Sequence, residues 1–217
     1  MKKLIVSMMF LAATLQVTSA QTNSGGIEAA VAKLDNARTA KDYEILSQDF
    51  LQLTATDGNN WLTWYYAAFC NAQTGWLYQR DGEKIEPFAN TAEKQINKAL
   101  SLIDTGSQKK ELSEIYCIMA MANQDKVFIN PQTYGAKFGP AAFRYIQMAQ
   151  AANPQNPRAL YLAGWQKFAT PKMWGGNKTK AKELLVQARQ LLEQEAGTNA
   201  APHWGKTEVG DLLKQMK

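Results

Sequence analysis

The residues of this chain that could do chemistry are few, and they form no familiar catalytic pattern. The sequence has one histidine, His203, and two cysteines, Cys70 and Cys117. A nucleophilic triad needs a serine or cysteine with a supporting histidine, and a zinc site needs several closely spaced ligands. No GxSxG, GxGxxG or GxxxxGK[ST] motif occurs, so the common nucleophile and nucleotide-binding loops are unsupported. The sequence therefore predicts a protein that is not an enzyme, with no catalytic residue, metal or cofactor.

The remaining reactive side chains have ordinary structural interpretations. The carboxylates are spread over polar helix faces, and no pair stands out as an acid and a base. His203 stands next to Trp204 at the start of a predicted helix, where it is expected to cap or pack. Cys70 and Cys117 fall on helices expected to lie side by side, so an exported protein could join them in a disulfide. Both also lie in apolar stretches, and we favour buried free thiols.

Aromatic side chains are the strongest candidates for ligand contact. Seven of them crowd one predicted helix between Trp61 and Tyr78. Most are expected to be core, because they follow the helical period. One helix face cannot bury all seven rings, however, so Tyr66 or Trp76 is expected to line a groove. A ring in that place would stack on a peptide, a sugar or another flat apolar ligand.

Two predicted linkers also carry aromatic rings. The first runs from Asp125 to Pro140 and is predicted to be an irregular but packed loop of about fifteen residues, longer than most connections. The second runs from Thr170 to Asn177 and contains Trp174 followed by two glycines. Phe138 of the first linker and Trp174 of the second are predicted to lie on one edge and to form a linker pocket.

Helices must position these side chains, and a spacing of small residues predicts how the helices pack. A small residue, a larger apolar one four positions on, and another small one three later share one face of a helix. Such a face lets a neighbouring helix approach closely, and stacked helix pairs bury a shared core in this way. The spacing occurs three times, at Ala92, Ile96 and Ala99, at Ala142, Ile146 and Ala149, and at Ala181, Leu185 and Ala188.

These stretches resemble the tetratricopeptide repeat (TPR) family from about Trp61 to the C-terminus. Trp61 stands at the family's tryptophan position, Pro154 at its closing proline, and Leu160, Ala163 and Gly164 at first-helix positions. The resemblance implies an all-α fold: an α-solenoid of stacked antiparallel helix hairpins, a TPR-like superhelix of three to four hairpins with a C-terminal capping helix.

The resemblance further implies a concave face built from the first helix of each hairpin. On that basis the protein is expected to be a scaffold that binds a protein or peptide partner in the cell envelope. The partner-binding residues predicted on this face are Tyr66, Asn71, Trp76, Asn123, Arg158 and Lys167. The alternative is a small-molecule binding or transport-accessory protein, because the chain is similar to the TPR subunits associated with TRAP-type solute transporters.

The N-terminus predicts export. Lys2 and Lys3 precede an apolar run that is too short to span a bilayer, and small residues follow up to Ala20. We expect a signal peptide over residues 1–20 that is cleaved after Ala20, a disordered leader at 21–26, and a single repeat domain at 27–217. The protein is then periplasmic or secreted in a Gram-negative bacterium, has no membrane span, and could form a homo-oligomer. Its formal charge of +5 is evenly spread, which argues against nucleic acid.

Overall fold

The computed structural model describes residues 21–195 and 200–216, with side chains from residue 25 onward. Every regular element in these ranges is helical. The α-helices are α1 (Gln21–Leu34), α2 (Ala40–Leu53), α3 (Trp61–Leu77), α4 (Gly82–Leu100), α5 (Lys109–Ile129), α6 (Pro131–Ala152), α7 (Pro157–Ala169), α8 (Lys178–Gln194) and α9 (Lys206–Gln215), with a short 3-10 turn at Lys172–Trp174.

Side-chain caps fix where most of these helices begin. A cap is an oxygen that accepts a hydrogen bond from a free backbone N–H in the first helical turn. Thr39 and Asp42 form a reciprocal capping box at the start of α2. Asparagine does the same work elsewhere: Asn60 caps α3, Asn156 caps α7 and Asn177 caps α8.

Successive helices pack in pairs: α1 on α2, α3 on α4, α5 on α6 and α7 on α8. The small residues of the three predicted motifs lie at these contacts, and all six of those alanines are buried. The prediction of an all-α fold built from sequential helix pairs is therefore confirmed. Helices α3, α5 and α7 also contact one another, and the side of the molecule that they form is called the inner face below.

The predicted linker at Asp125–Pro140 does not exist as a loop. Helix α5 continues to Ile129, and α6 begins at Pro131, with Asn130 as its cap. Pro140, the end of that predicted linker, lies well inside α6, and Pro87 lies inside α4. Proline suits a helix start because it has no N–H to donate, but Pro87 and Pro140 stand at exposed positions inside their helices and do not set where those helices begin.

Several predictions concern the chain ends and the thiols. Helix α1 begins at Gln21, so the structure differs from the disordered leader predicted at 21–26. The signal peptide predicted at 1–20 lies outside the described residues. Cys70 and Cys117 are free and buried, as favoured. No helix in the described ranges combines the length and the apolar character that crossing a bilayer requires.

Candidate ligand cleft

The C-terminal segment, residues 200–216, lies across the inner face, and Trp204 anchors it there. The indole Nε1 of Trp204 donates a 2.8 Å hydrogen bond to the hydroxyl of Tyr65. The indole also stacks on Phe69, with ring centroids 5.0 Å apart, and meets Tyr161 edge-on. A second anchor is Tyr66, whose hydroxyl donates to the carbonyl of Ala200. The segment thus covers part of the face on which a peptide was expected to bind.

A narrow cleft of about 40 Å³ remains on the inner face beside Trp204, and we call it the aromatic cleft. It is lined mainly by apolar and aromatic side chains with a few polar groups, as small-molecule sites usually are. The lining residues are Gln73, Trp76, Ala120, Met121, Gln124, Ala142, Ile146, Tyr161, Leu162, Trp165, Trp204 and Glu208.

Three rings form a cluster at one wall of this cleft. Trp76 of α3 meets Trp165 of α7 edge-on, with ring centroids 4.8 Å apart. Phe128 of α5 contacts both, at 5.5 Å from Trp76 and 6.2 Å from Trp165. Edge-to-face pairs at these distances are favourable. Because Trp76 and Trp165 are only partly buried, they can offer ring surface to a ligand as well as to each other.

A buried ionic network joins α5, α7 and the end of α8. Arg158 donates from Nε to both carboxylate oxygens of Glu114, at 2.8 and 2.9 Å, and from Nη2 to Glu195 at 2.6 Å. Glu114 also accepts from Tyr65 and Asn156. Arg158 is only 4% exposed, so the network is part of the structural core.

Burial sets the protonation of this network. It raises the pKa of Glu114, and the Arg158 guanidinium partly offsets that rise. Burial by itself would lower the pKa of Arg158. The charge of Glu114 and the hydrogen bond to Glu195 outweigh burial, and the pKa of Arg158 lies above its usual range. The pKa of Tyr65 is raised by burial and then by the charge of Glu114. Arg158 therefore stays charged, and Tyr65 stays a hydrogen-bond donor.

A second cleft, of about 130 Å³, lies on the other side of Trp204, and we call it the polar cleft. Its walls include Asp35, Arg38, His203, Lys206 and Glu208. The His203 ring lies between two acceptors, with Nδ1 2.8 Å from the Ala201 carbonyl and Nε2 2.7 Å from Asp35. Each ring nitrogen of His203 therefore lies next to a protein oxygen. Within the described ranges, no group of three or more His, Cys, Asp or Glu residues could hold a metal ion.

Glu208 and Trp204 border both clefts. Burial raises the pKa of Glu208, and bonds from backbone N–H groups at the start of α9 only partly offset the rise. Burial raises the pKa of Tyr43 to about 12, and the charge of Glu208 contributes a smaller part of the rise. The same two causes raise the pKa of Tyr161. Both tyrosines therefore face the clefts as neutral phenols at neutral pH.

Of the six residues predicted on a concave face, Trp76 alone lines the aromatic cleft. Asn71 and Asn123 are buried and donate within the protein, Asn71 to Ser47 and Gln95 and Asn123 to the Met119 carbonyl. Tyr66 and Arg158 are buried in the contacts given above, although the Tyr66 ring also borders the polar cleft. Lys167 is partly exposed and donates to the carbonyl of Gly175.

The two residues predicted to form a linker pocket lie in different surroundings. Phe138 is part of α6, packs edge-on against Tyr134 and lies under the ammonium of Lys126. Trp174 is 73% exposed on the turn between α7 and α8. Neither residue lines the aromatic cleft or the polar cleft.

Sequence reasoning missed most residues of the aromatic cleft, including Met121, Tyr161, Trp165 and Trp204. One signal was available: Tyr161 and Trp165 are four residues apart, and that spacing puts both rings on one face of α7. The contribution of Trp204 had no sequence signal, because it depends on where the C-terminal segment docks.

Comparison with known proteins corrects the family prediction. No protein-family model matches the sequence, and no curated protein sequence is significantly similar to it. A solved structure does match: the HusA haemophore from Porphyromonas gingivalis, with a TM-score of 0.79 and 29% sequence identity, over 94% of this chain and 96% of that chain.

Two predictions are therefore wrong, and a third is confirmed. The predicted TPR family is wrong, because no family model matches and the matching structure is a haemophore. The small-residue spacing indicates close helix packing, which many helical proteins share, and it does not identify a family. The prediction of a peptide-binding scaffold is also wrong, because the matching structure is a haemophore and the C-terminal segment already covers part of the inner face. The prediction that the protein is not an enzyme is confirmed, because a haemophore is a carrier. Over nearly its whole length, this chain is similar to a haemophore in both fold and sequence.

Proposed function

We propose that the protein binds haem or a related porphyrin in the aromatic cleft and carries it. The observation that carries this proposal is the position of Trp76, Trp165 and Trp204 around one apolar cleft, in a chain similar to a haemophore. This is the small-molecule alternative stated from the sequence, with a new site. We also propose that the helix pairs stack as an α-solenoid whose inner side carries the ligand; the contacts of α2 with α3, α4 with α5 and α6 with α7 support this arrangement.

The lining suits the porphyrin ring system. A porphyrin has two broad apolar faces, and indole and phenol rings stack on such faces or meet them edge-on. Met121 adds a polarisable side chain that adapts to irregular surfaces. Gln73 and Gln124 are the amide donors of the cleft and can donate to the propionate groups.

The cleft offers little for the iron. His203 lines the polar cleft and is not part of the lining of the aromatic cleft. Tyr161 faces the aromatic cleft, but burial raises the pKa of its phenol, and the phenolate is the form that binds iron strongly. Met121 offers a thioether sulfur, a soft and weak ligand. Recognition of the ring rather than of the metal therefore accounts for binding.

A ligand of this size requires the cleft to widen. The cleft holds about 40 Å³, whereas small-molecule pockets usually measure roughly 300–1,000 Å³. Trp165 is only partly buried, and Trp204 belongs to a segment laid over the face rather than to the helix pairs. Both indoles are therefore expected to move apart when a porphyrin enters.

We further propose that the protein is exported, with the signal peptide cleaved after Ala20, and acts outside the cytoplasm. A carrier of haem fits that location, because its ligand would be gathered from the surroundings of the cell. The predicted periplasmic or secreted location follows from Lys2, Lys3 and the apolar run after them.

The test is a titration of haemin into the chain from residue 21 onward, followed by the Soret band and by tryptophan fluorescence. We expect saturable binding, and we expect Trp165→Ala to weaken it about tenfold, because an aromatic contact is worth about 1 kcal/mol beyond its buried area. Phe143→Ala is the matched control, because Phe143 is exposed on α6 and outside the cleft. Unsaturable binding, or equal affinity of Trp165→Ala and wild type, would contradict the proposal.

A further inference from the structure

The turn between α7 and α8 presents two large apolar side chains to solvent. Met173 is 81% exposed and Trp174 is 73% exposed, the highest values among the large hydrophobic residues that the structure describes. Single exposed apolar residues are common on proteins. Two adjacent ones at the tip of a projecting turn form a small apolar knob, defined here as Met173 and Trp174.

The turn that carries the knob has a defined shape. Trp174 N–H donates to the Pro171 carbonyl, as does Gly176 N–H, and Asn177 N–H donates to the Lys167 carbonyl. Gly175 has a φ of 90°, which side chains other than glycine rarely adopt. A Cβ at Gly176 would collide with the Thr170 carbonyl oxygen. The fold therefore holds the two apolar side chains outward.

The chain on both sides of the knob is rich in lysine and poor in carboxylates. No acidic residue occurs between Arg158 and Glu183, whereas that stretch contains five lysines: Lys167, Lys172, Lys178, Lys180 and Lys182. Lys180 pairs with Glu183, and Lys178 lies over the ring of Phe168. The side-chain ammonium groups of Lys172 and Lys182 make no hydrogen bond or ion pair with any residue in the described ranges, and both residues are exposed. The surface near the knob is thus basic.

We propose that this turn binds the surface of an anionic lipid bilayer. Tryptophan partitions to the level of the lipid headgroups, and lysines near an anionic surface are attracted to it. Reversible membrane association commonly combines one apolar insertion with a basic patch, and the turn supplies both. A folded protein partner is a poorer fit, because two side chains cover much less than the roughly 800 Å² per partner of a stable interface.

This proposal is independent of porphyrin binding, because neither Met173 nor Trp174 lines a cleft. Its role would be to keep the protein at an anionic membrane surface. The association should weaken steeply with salt, because the lysines act through screened charges.

Co-sedimentation with large unilamellar vesicles tests the proposal. The chain from residue 21 onward is mixed with vesicles of phosphatidylcholine alone or with about one third phosphatidylglycerol. We expect binding to the anionic vesicles only, lost at about 0.5 M salt. We expect Lys172→Gln with Lys182→Gln to weaken binding about tenfold, and Met173→Ser with Trp174→Ser to weaken it by a similar factor.

Matched controls separate the turn from the rest of the surface. Lys94→Gln with Lys98→Gln removes the same charge from an exposed face of α4, and Ile45→Ser removes an exposed apolar side chain from α2. We expect both controls to bind like wild type. The proposal is overturned if the turn variants also bind like wild type, if neutral vesicles bind equally well, or if the chain binds soluble polyglutamate but no vesicle.

Discussion

Trp204 and Tyr65 are 139 residues apart in sequence, and the indole Nε1 of Trp204 donates a 2.8 Å hydrogen bond to the Tyr65 hydroxyl. Tyr65 in turn donates to Glu114, which accepts from Arg158. The C-terminal segment is thereby tied, through Trp204, to a buried ion pair between α5 and α7. The same indole forms a wall of the aromatic cleft, so the contact that docks the C-terminal segment also shapes the proposed ligand site.

Substitutions at Trp204 should separate docking from stacking. Trp204→Phe keeps an aromatic ring against Phe69 but removes the N–H donor, so we expect a loss of about 1 kcal/mol in the free energy of unfolding. Trp204→Ala also removes the stacked ring and should cost about 3–5 kcal/mol. Urea unfolding measures both. Wild-type stability of Trp204→Ala would show that the segment does not dock as described.

The iron should matter little for binding if the ring is what the cleft recognises. We expect metal-free protoporphyrin IX to bind within about tenfold of haemin, because His203 lies in the other cleft and aromatic side chains recognise the faces of the ring. Competition between the two, followed by tryptophan fluorescence, measures the ratio. A preference for haemin far beyond tenfold would mean that an axial ligand is recruited.

The buried pair of Arg158 and Glu114 should contribute strongly to folding. Arg158→Met leaves Glu114 buried without its cation, so we expect a loss of about 3–5 kcal/mol. Arg158→Lys keeps the charge but cannot reach Glu114 and Glu195 together, so its loss should be smaller. Arg189→Met is the control, since Arg189 is half exposed in a long pair with Glu193. Chemical unfolding of the three variants decides whether the network is structural; equal stability of Arg158→Met and Arg189→Met would show that it is not.

Asp125 should give the protein an unusual dependence of stability on pH. Neither carboxyl oxygen has a hydrogen-bond partner among the described residues, and burial raises its pKa well above the ordinary value. The folded state then keeps a proton that the unfolded state loses near pH 4. The raised pKa of Asp125 therefore contributes fully to the free energy of unfolding below about pH 4. This contribution is lost as pH rises toward the pKa of Asp125 in the folded state.

The matched variant is Asp125→Asn, which keeps the shape but does not ionise. We expect this variant to exceed wild type in free energy of unfolding at pH 7, by a margin that shrinks toward pH 4. Urea unfolding at several pH values measures the margin. Parallel curves for the two proteins would mean that the carboxyl is not held protonated. Gly75 leaves no room beside this carboxyl, because a Cβ at position 75 would lie 2.7 Å from a carboxyl oxygen of Asp125.

The packing register of α6 has a sharp test in two alanines. Ala149 is fully buried, and its carbonyl accepts from Ser113, whereas Ala151 is exposed on the same helix. Ala149→Asp places a carboxylate between helices without a partner and should cost roughly 3 kcal/mol or more. Ala151→Asp should change little. Thermal unfolding compares them, and equal melting temperatures would refute the register.

The sequence by itself determined the helix pairs. Alanines spaced seven apart around Ile96, Ile146 and Leu185 predicted which faces meet, because close helix approach tolerates only small side chains there. Helix starts are a similar case: Asn177 caps α8 and Pro157 begins α7, and such residues act within one turn. These are local effects, and local spacing reports them directly.

Only the tertiary structure decided the site and the surroundings of its polar residues. Asn71 and Asn123 were predicted to face a partner, yet each is buried because helices pack around α3 and α5 from several sides. The aromatic cleft combines Trp76, Trp165 and Trp204 from three distant parts of the chain. Which rings meet depends on where the C-terminal segment docks, and that is set by long-range contacts that local periodicity does not encode.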